Sequence, residues 1–466
     1  MSTITHENII VEGIPFTKIK QVYIKHIPNE HATATVIGEI DYKAGTECIK
    51  RANEKTAVLI STTAKEQPSK LFYGGINHVA LNQGAEYCEF QLELISTSRN
   101  QDTQKMNRTF QNTGKTYEDI LNSITEGKAR VDLTITDQAI GKMIMQYNET
   151  NWEFIKRMAS RFNAPVITNI VTDKAQISVG IPVSNRSYTL NGVSSHYGMD
   201  QKSYNNVSSN YLASGASVMQ QDFSAINVKA YEYGYIGDQV TYNGQSYYIK
   251  GISTQLVDGI LENTYSLAQK TGFVAPTSSN VQCSGRMLIG QVQEVKRDQV
   301  KVFFTEIDGS FDSGGNWWFP YSTAYSSSDG SGWYCMPEVG DTVRVFFPSN
   351  NEADAFAASS VNVAPLDNPR HKSWRAPGGK QILLTDDGLY IICEHEKIFI
   401  NLENEKGITI CADKDINVFS STNVIIQAGN KVEVKADNEI QIGTAESYID
   451  IRKENITLGA KEVIIN

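Results

Sequence analysis

Asp386 and Asp387 are adjacent acids of the kind that could form a catalytic dyad. A glycosidase needs its two carboxyls held at a fixed separation across a cleft, and this Asp-Asp step reads instead as a turn. His395, in the run Cys393-Glu-His-Glu396, could be a metal ligand. No second His or Cys stands at metal-binding spacing, so it reads as a solvated strand residue, and no His-x-His pair offers itself to a metal. The cysteines, Cys48, Cys88, Cys283, Cys335, Cys393 and Cys411, form no Cys-x-x-Cys pair. In a chain this long they read as buried free thiols made in the cytosol. Gly378-Gly379 does not follow a strand and open a helix, so it is no phosphate loop. No catalytic residue, metal site or cofactor is expected, and the chain reads as a non-enzyme.

What recurs at fixed spacing is apolar. Leu384, Ile392, Ile400, Ile408, Ile416, Val424, Val432 and Ile440 stand eight residues apart. A fixed register would do this by chance less than about once in a thousand. A second track lies two residues on, at Leu402, Ile410, Val418, Ile426, Val434 and Ile442. Two apolar positions separated by one share a strand face. The residues between are turn formers, as in Ala412-Asp-Lys-Asp and Ala428-Gly-Asn-Lys. Each octad is thus a short strand plus a turn with one apolar face. Such a unit cannot bury that face alone, and a single chain would leave backbone edges open. An octad is short for a full solenoid coil. Three intertwined chains, each giving one side of a triangular prism, solve both problems, and the trimer and the folded segment become one thermodynamic object. The register drifts after Ile442, through Ile449/Ile451, Ile456/Leu458 and Val463/Ile465.

Upstream, residues 1–98 alternate apolar and polar over Phe16–Ile24, Ala34–Ile40 and Tyr87–Ile95, predicting a small barrel or sandwich. Two helices follow. One is capped at Thr116 with Glu118 and Asp119 in its first turn. The other is opened by a capping box at Thr150-Asn-Trp-Glu153, with Trp152, Ile155, Met158, Ala159 and Phe162 on one face. Strands return from Pro165 to Phe273, around a Ser/Asn-rich stretch near Ser203–Ser217 that reads as a loop. A linker at Ala275–Asn280 precedes a compact β segment, residues 281–363, sized for an OB-like barrel. Residues 364–378 read as a second linker, too short to hold an enzyme.

The fold class is therefore mainly β. With 466 residues the chain needs several cores. Net charge of −10 excludes the basic footprint of a nucleic-acid binder. The start, MSTITHENIIVEG, has no basic stretch leading an apolar core, so no signal peptide is expected. No apolar run is long enough for a transmembrane helix. A protein with neither signal that still acts outside the cell would have to be carried out by a machine.

Residues Met145-Gln-Tyr-Asn-Glu-Thr-Asn-Trp-Glu-Phe-Ile-Lys-Arg-Met158 resemble the "QY…E(S/T)xWxFxxR" segment of the VgrG family and related contractile-tail hubs. Arg108-Thr-Phe-Gln-Asn-Thr-Gly-Lys-Thr-Tyr-Glu-Asp-Ile120 resembles the preceding "R.FQN…DIL" stretch. Gln299-Val-Lys-Val-Phe-Phe304, Trp318 and Pro337-Glu-Val-Gly-Asp341 are similar to landmarks of the family's OB domain. Position 299 is Gln where the family commonly has Arg, and the chain is shorter than many secretion-system members. The resemblance implies a first hub barrel over 1–98, a helical segment over 99–164, a second hub barrel over 165–274, an OB domain over 281–363 and a trimeric β-helix over 379–466. It implies a homotrimer whose barrels ring a hexameric tail-tube protein and contact baseplate proteins. A PAAR-like cap or effector would sit on Val463, Ile464, Ile465 and Asn466, and the target-cell envelope would be met on firing. The function implied is a structural hub and membrane-puncturing spike. The alternative is a β-helical fibre-type adhesin binding surface glycans, which the small or polar outer positions Thr409, Asn417, Glu433 and Gln441 disfavour.

Overall fold

The computed structural model describes residues 3–53, 55–84, 87–362, 364, 366–394 and 396–464. They form two compact units, Met1–Val361 and Asn362–Asn466.

In the first unit the alternating segments become strands Lys18–His26, Thr33–Ile40 and Cys88–Ser96. Ala34, Val36 and Ile40 turn inward while their neighbours face out, as the period of two requires. These strands do not close into a barrel separate from those of residues 187–268. All belong to one 12-stranded sheet. Lys18–His26 pairs with Gln245–Val257, with His26 opposite Ile252 and Ile24 opposite Thr254. The two expected hub barrels are thus joined along a seam. The reason lies in Gln245–Val257, a 13-residue strand long enough for one edge to pair first with Gln239–Tyr242 and then with Lys18–His26, while its other edge pairs with Ile260–Ala268. Alternation shows which face a strand buries but not which strand it pairs with. Two cores remain, one around Ile24, Val36, Phe72 and Phe90, the other around Val228, Ile249, Tyr265 and Leu267.

Four α-helices occur among the described residues. Two were expected: α2 (Tyr117–Ile124) and α3 (Asn151–Ser160) open on capping boxes at Thr116 and Thr150. They pack on a small sheet of Ala129–Leu133, Ala175–Val179 and Val166–Thr168 to form a third core. α1 (Tyr42–Arg51) was not expected. Asp41 accepts from the amides of Lys43 and Ala44, and Gly45 lets the helix lie on Leu81, where an added Cβ would come within 2.8 Å. α4 (Gln201–Asn210) replaces part of the expected loop. Its Ser and Asn residues are poor helix formers. It stands because Asp200 caps the Ser203 amide and Tyr204 packs edge-on against Phe223.

A closed barrel follows: Arg286–Lys296, Gln299–Phe303, Phe319–Ser322, Thr342–Phe347 and Phe356–Ser360. The first strand closes on the fourth, and the third runs parallel to the fifth, giving the Greek-key path of an OB fold. Val292, Val302, Phe304, Phe319, Val345 and Phe347 fill it. All six cysteines are free, but the expectation that they are buried holds fully only for Cys283, since Cys335 and Cys393 are exposed.

In the second unit, Lys372–Arg375 is a strand inside the stretch read as linker. It pairs with Gln381–Leu384 and starts a five-stranded antiparallel meander continuing through Gly388–Glu394, Ile398–Glu403 and Gly407–Cys411. A three-stranded meander, Glu439–Gly443, Tyr448–Arg452 and Ile456–Gly459, lies further on. Residues 412–438, between the two, carry no strand pairing among the described residues.

Candidate functional site

The segments that resemble the family motifs converge on one joint between the helical core and the barrel. Arg157 on α3 is 3% exposed. It forms a two-pronged pair with Glu149, Nε to Oε1 at 2.7 Å and Nη2 to Oε2 at 2.8 Å. Its Nη1 donates to Glu352 of the barrel at 2.7 Å, and Nη2 donates to the Met145 carbonyl at 2.6 Å. Glu352, 2% exposed, also accepts from Arg161 at 3.2 Å. Buried ions survive only when paired and hydrogen-bonded, and here one cation satisfies two carboxylates. Burial pulls the Arg157 guanidinium downward, but Glu352 and Glu149 more than offset it and hold it above its usual range. Burial, with Glu352 adding to it, pushes the Cys283 thiol up to about 11. That thiol is protonated at neutral pH.

The upstream motif docks on the same barrel. Asp308 accepts from the Thr109 amide at 2.7 Å and its hydroxyl at 2.5 Å. Gln111 donates to the Val302 carbonyl at 3.0 Å, and Thr113 donates to Asn316 through amide and hydroxyl. Burial raises the Asp308 carboxyl, while the two Thr109 bonds pull it back. The spacing of these motifs is therefore that of a structural clamp. Glu352 and Asp308 were not legible as its partners: each lies among polar turn residues, Asn350-Asn351 and Asp308-Gly-Ser, and reads as a solvated turn acid.

The second unit presents an apolar face. Leu384 pairs opposite Leu389, Leu389 opposite Leu402, and Leu402 opposite Ile408. Beside this row runs another, Ile382, Ile391, Ile400 and Ile410. Opposed residues share a face, so both rows form one surface. It is open to solvent in the single chain, with Ile408 71% exposed. Ile392, assigned to the track by its eight-residue spacing, lies on the other face opposite Phe399, and Ile391 takes its place. A bulge between Ile392 and Glu394 breaks the strict period there. In 412–438, Phe419 and Ile425 are 89% and 81% exposed, and Ile416, Val418, Val424, Ile426, Val432 and Val434 are exposed as well.

No protein-family model and no curated protein matches the chain. Solved structures do. The E. coli c3393 protein is a component of the type VI secretion system with structural similarity to the T4 bacteriophage tail proteins gp27 and gp5. It aligns with a TM-score of 0.52 at 13% identity, over 76% of this chain and 99% of its own. The Francisella PdpA–VgrG complex, lidded, aligns with a TM-score of 0.54 at 9% identity, over 84% of this chain and 76% of the other. Its half-lidded form aligns at 0.51 and 8% identity, over 84% and 83%. The fold is VgrG-like.

On this VgrG-like fold the other candidate residues fall as follows. Asp386 and Asp387 form a turn, where the Asp387 amide donates to the Thr385 hydroxyl and Asp386 pairs with Arg370 at 2.7 Å. Val463 and Ile464 are exposed. Ile465, Asn466 and His395 lie outside the described residues. Ile440 and Ile442 sit on the strand Glu439–Gly443, opposite Ile451 and Ile449. Among the described residues no helix is long and apolar enough to cross a membrane.

Proposed function

We propose that this chain is the structural hub and spike of a contractile injection system, working as a homotrimer. The single observation that carries the reading is the open apolar surface of the second unit, continued by the unpaired, apolar stretch 412–438. A face of this kind needs a partner surface, and unpaired strand-like backbone needs another chain. Three copies supply both. Leu384, Ile391, Ile400, Leu402, Ile408 and Ile410 line the upper core, and Ile416, Val418, Val424, Ile426, Val432 and Val434 the intertwined part. The role is mechanical. Sheath contraction would drive the needle through a target envelope, and the rigidity comes from strand pairing between chains.

The hub would meet a hexameric tail-tube protein and baseplate proteins, and the end near Val463 and Ile464 a PAAR-like cap or effector. The chain would be made in the cytoplasm and delivered as part of the assembled particle. Val418→Cys in a full chain whose six native cysteines are changed to Ser or Ala, treated with a short bifunctional maleimide, tests the reading. Dimer and trimer bands should form at protein concentrations where a surface variant such as Lys70→Cys gives none. Monomer bands alone from Val418→Cys would refute it.

A further inference from the structure

Charge in the second unit is segregated along the chain. Residues 368–385 hold Arg370, Lys372, Arg375 and Lys380, with His371 among them, and no Asp or Glu. Residues 386–466 hold eight Lys or Arg against fifteen Asp or Glu, and the whole chain carries −10. Solubility is served by interspersed signs. A run of cations set apart on an acidic chain is instead the pattern of a contact with something anionic.

The fold presents this run at an edge. Lys372–Arg375 is the outermost strand of the five-stranded sheet, and all four of its residues are exposed. Lys372 stands opposite Leu384 and Arg375 opposite Gln381, so the two cations leave opposite faces of the strand. The chain then turns through Ala376-Pro-Gly-Gly-Lys380, closed by the Ala376 amide donating to the Lys380 carbonyl at 2.9 Å. Gly378 and Gly379 make the turn with φ of +81° each, and nothing beyond its chain neighbours lies within 4 Å of where a Gly379 Cβ would stand. The turn is therefore open, with Arg375 and Lys380 at its two ends. Arg370 is matched by Asp386 at 2.7 Å, and Lys372 donates to the Pro369 carbonyl. Among the described residues, neither Arg375 nor Lys380 meets a carboxylate. A long polyanion lying along the unit would have to cross its acidic remainder, whereas a flat anionic surface can meet the open turn alone.

We propose that the turn bearing Arg375 and Lys380 docks on the anionic phosphate headgroups of a lipid bilayer. One chain carries the whole site, so the reading depends neither on the trimer nor on a role in injection. The test is flotation of the full-length protein with vesicles of phosphatidylcholine, alone or mixed with phosphatidylglycerol. The mixed vesicles should carry the protein up at low salt, and added sodium chloride should release it. Arg375→Gln with Lys380→Gln should weaken that binding at least tenfold, at about fivefold per cation. Lys453→Gln with Lys461→Gln removes the same charge from the acidic remainder and should change it less than about twofold. No flotation with the mixed vesicles overturns the proposal. So does equal flotation with phosphatidylcholine alone, or an equal loss in the two double variants. A single-stranded oligonucleotide bound more tightly than the mixed vesicles would also overturn it, making the cluster a nucleic-acid contact.

Discussion

Replacing Glu352 tests the clamp between the helical core and the barrel. Glu352→Ala removes the 2.7 Å contact to Arg157 and the 3.2 Å contact to Arg161. Arg157 keeps both prongs to Glu149 and its bond to the Met145 carbonyl. The cost should therefore fall at the low end of the roughly 3–5 kcal/mol for breaking a buried ion pair, about 3 kcal/mol. Arg157→Ala is worse, because it leaves two buried carboxylates, Glu149 and Glu352, without their shared cation. It should cost about 5 kcal/mol. Glu352→Gln keeps an oxygen that can accept from Arg157 and should cost about 1–2 kcal/mol. Replacing all three at once, Arg157→Met with Glu149→Leu and Glu352→Leu, removes the desolvated charges together and should stay within about 1 kcal/mol of wild type. Urea unfolding followed by tryptophan fluorescence, to which Trp152 of the helical core and Trp317 and Trp318 beside the barrel contribute, measures each value. A loss below about 1 kcal/mol for Arg157→Ala, or a greater loss for Glu352→Ala than for Arg157→Ala, would show that the network does not hold the joint.

Three further outcomes are expected. The folded value of His26, about 4, lies below its unfolded value near 6.5, so between those limits the unfolded chain binds the extra proton. Its stabilising contribution is full above about pH 6.5 and falls away toward pH 4, by up to about 3 kcal/mol; His26→Gln should flatten that part of the stability–pH curve, and an unchanged slope would contradict the assignment. Asp308→Ala removes the acceptor of the half-buried Thr109 amide and hydroxyl and should cost about 1–2 kcal/mol, with faster hydrogen exchange over residues 106–110; unaltered exchange there would refute the docking. Ile426→Asp puts a charge into the expected interchain core and should leave the chain monomeric while the urea unfolding of the first unit stays native; a stable trimer would argue against the intertwined stretch.

Much of this arrangement was legible because it is local. Thr116 and Thr150 announce their helices through side-chain caps three residues long, and the alternation around Val36 and Leu92 announces its strands. The octad spacing announced the apolar face. What it missed is non-local or sub-periodic. The bulge beside Ile392 swaps it for Ile391 by a one-residue shift, which flips a side chain to the other face. The seam depends on one strand using both of its edges, which composition does not encode. α4 is held by a cap and one aromatic contact against its own poor propensity. In the clamp the motif supplied Arg157 and Glu149, but Glu352 lies 195 residues from Arg157 in sequence, and only folding brings them together.

The central claim, that the apolar face of the second unit exists to meet two other copies, is tested most directly by light scattering coupled to size exclusion. It predicts a particle of three times the 51.7 kDa chain mass, undiluted by lowering concentration, and a monomer when the chain is cut after Val361. A stable full-length monomer would contradict it.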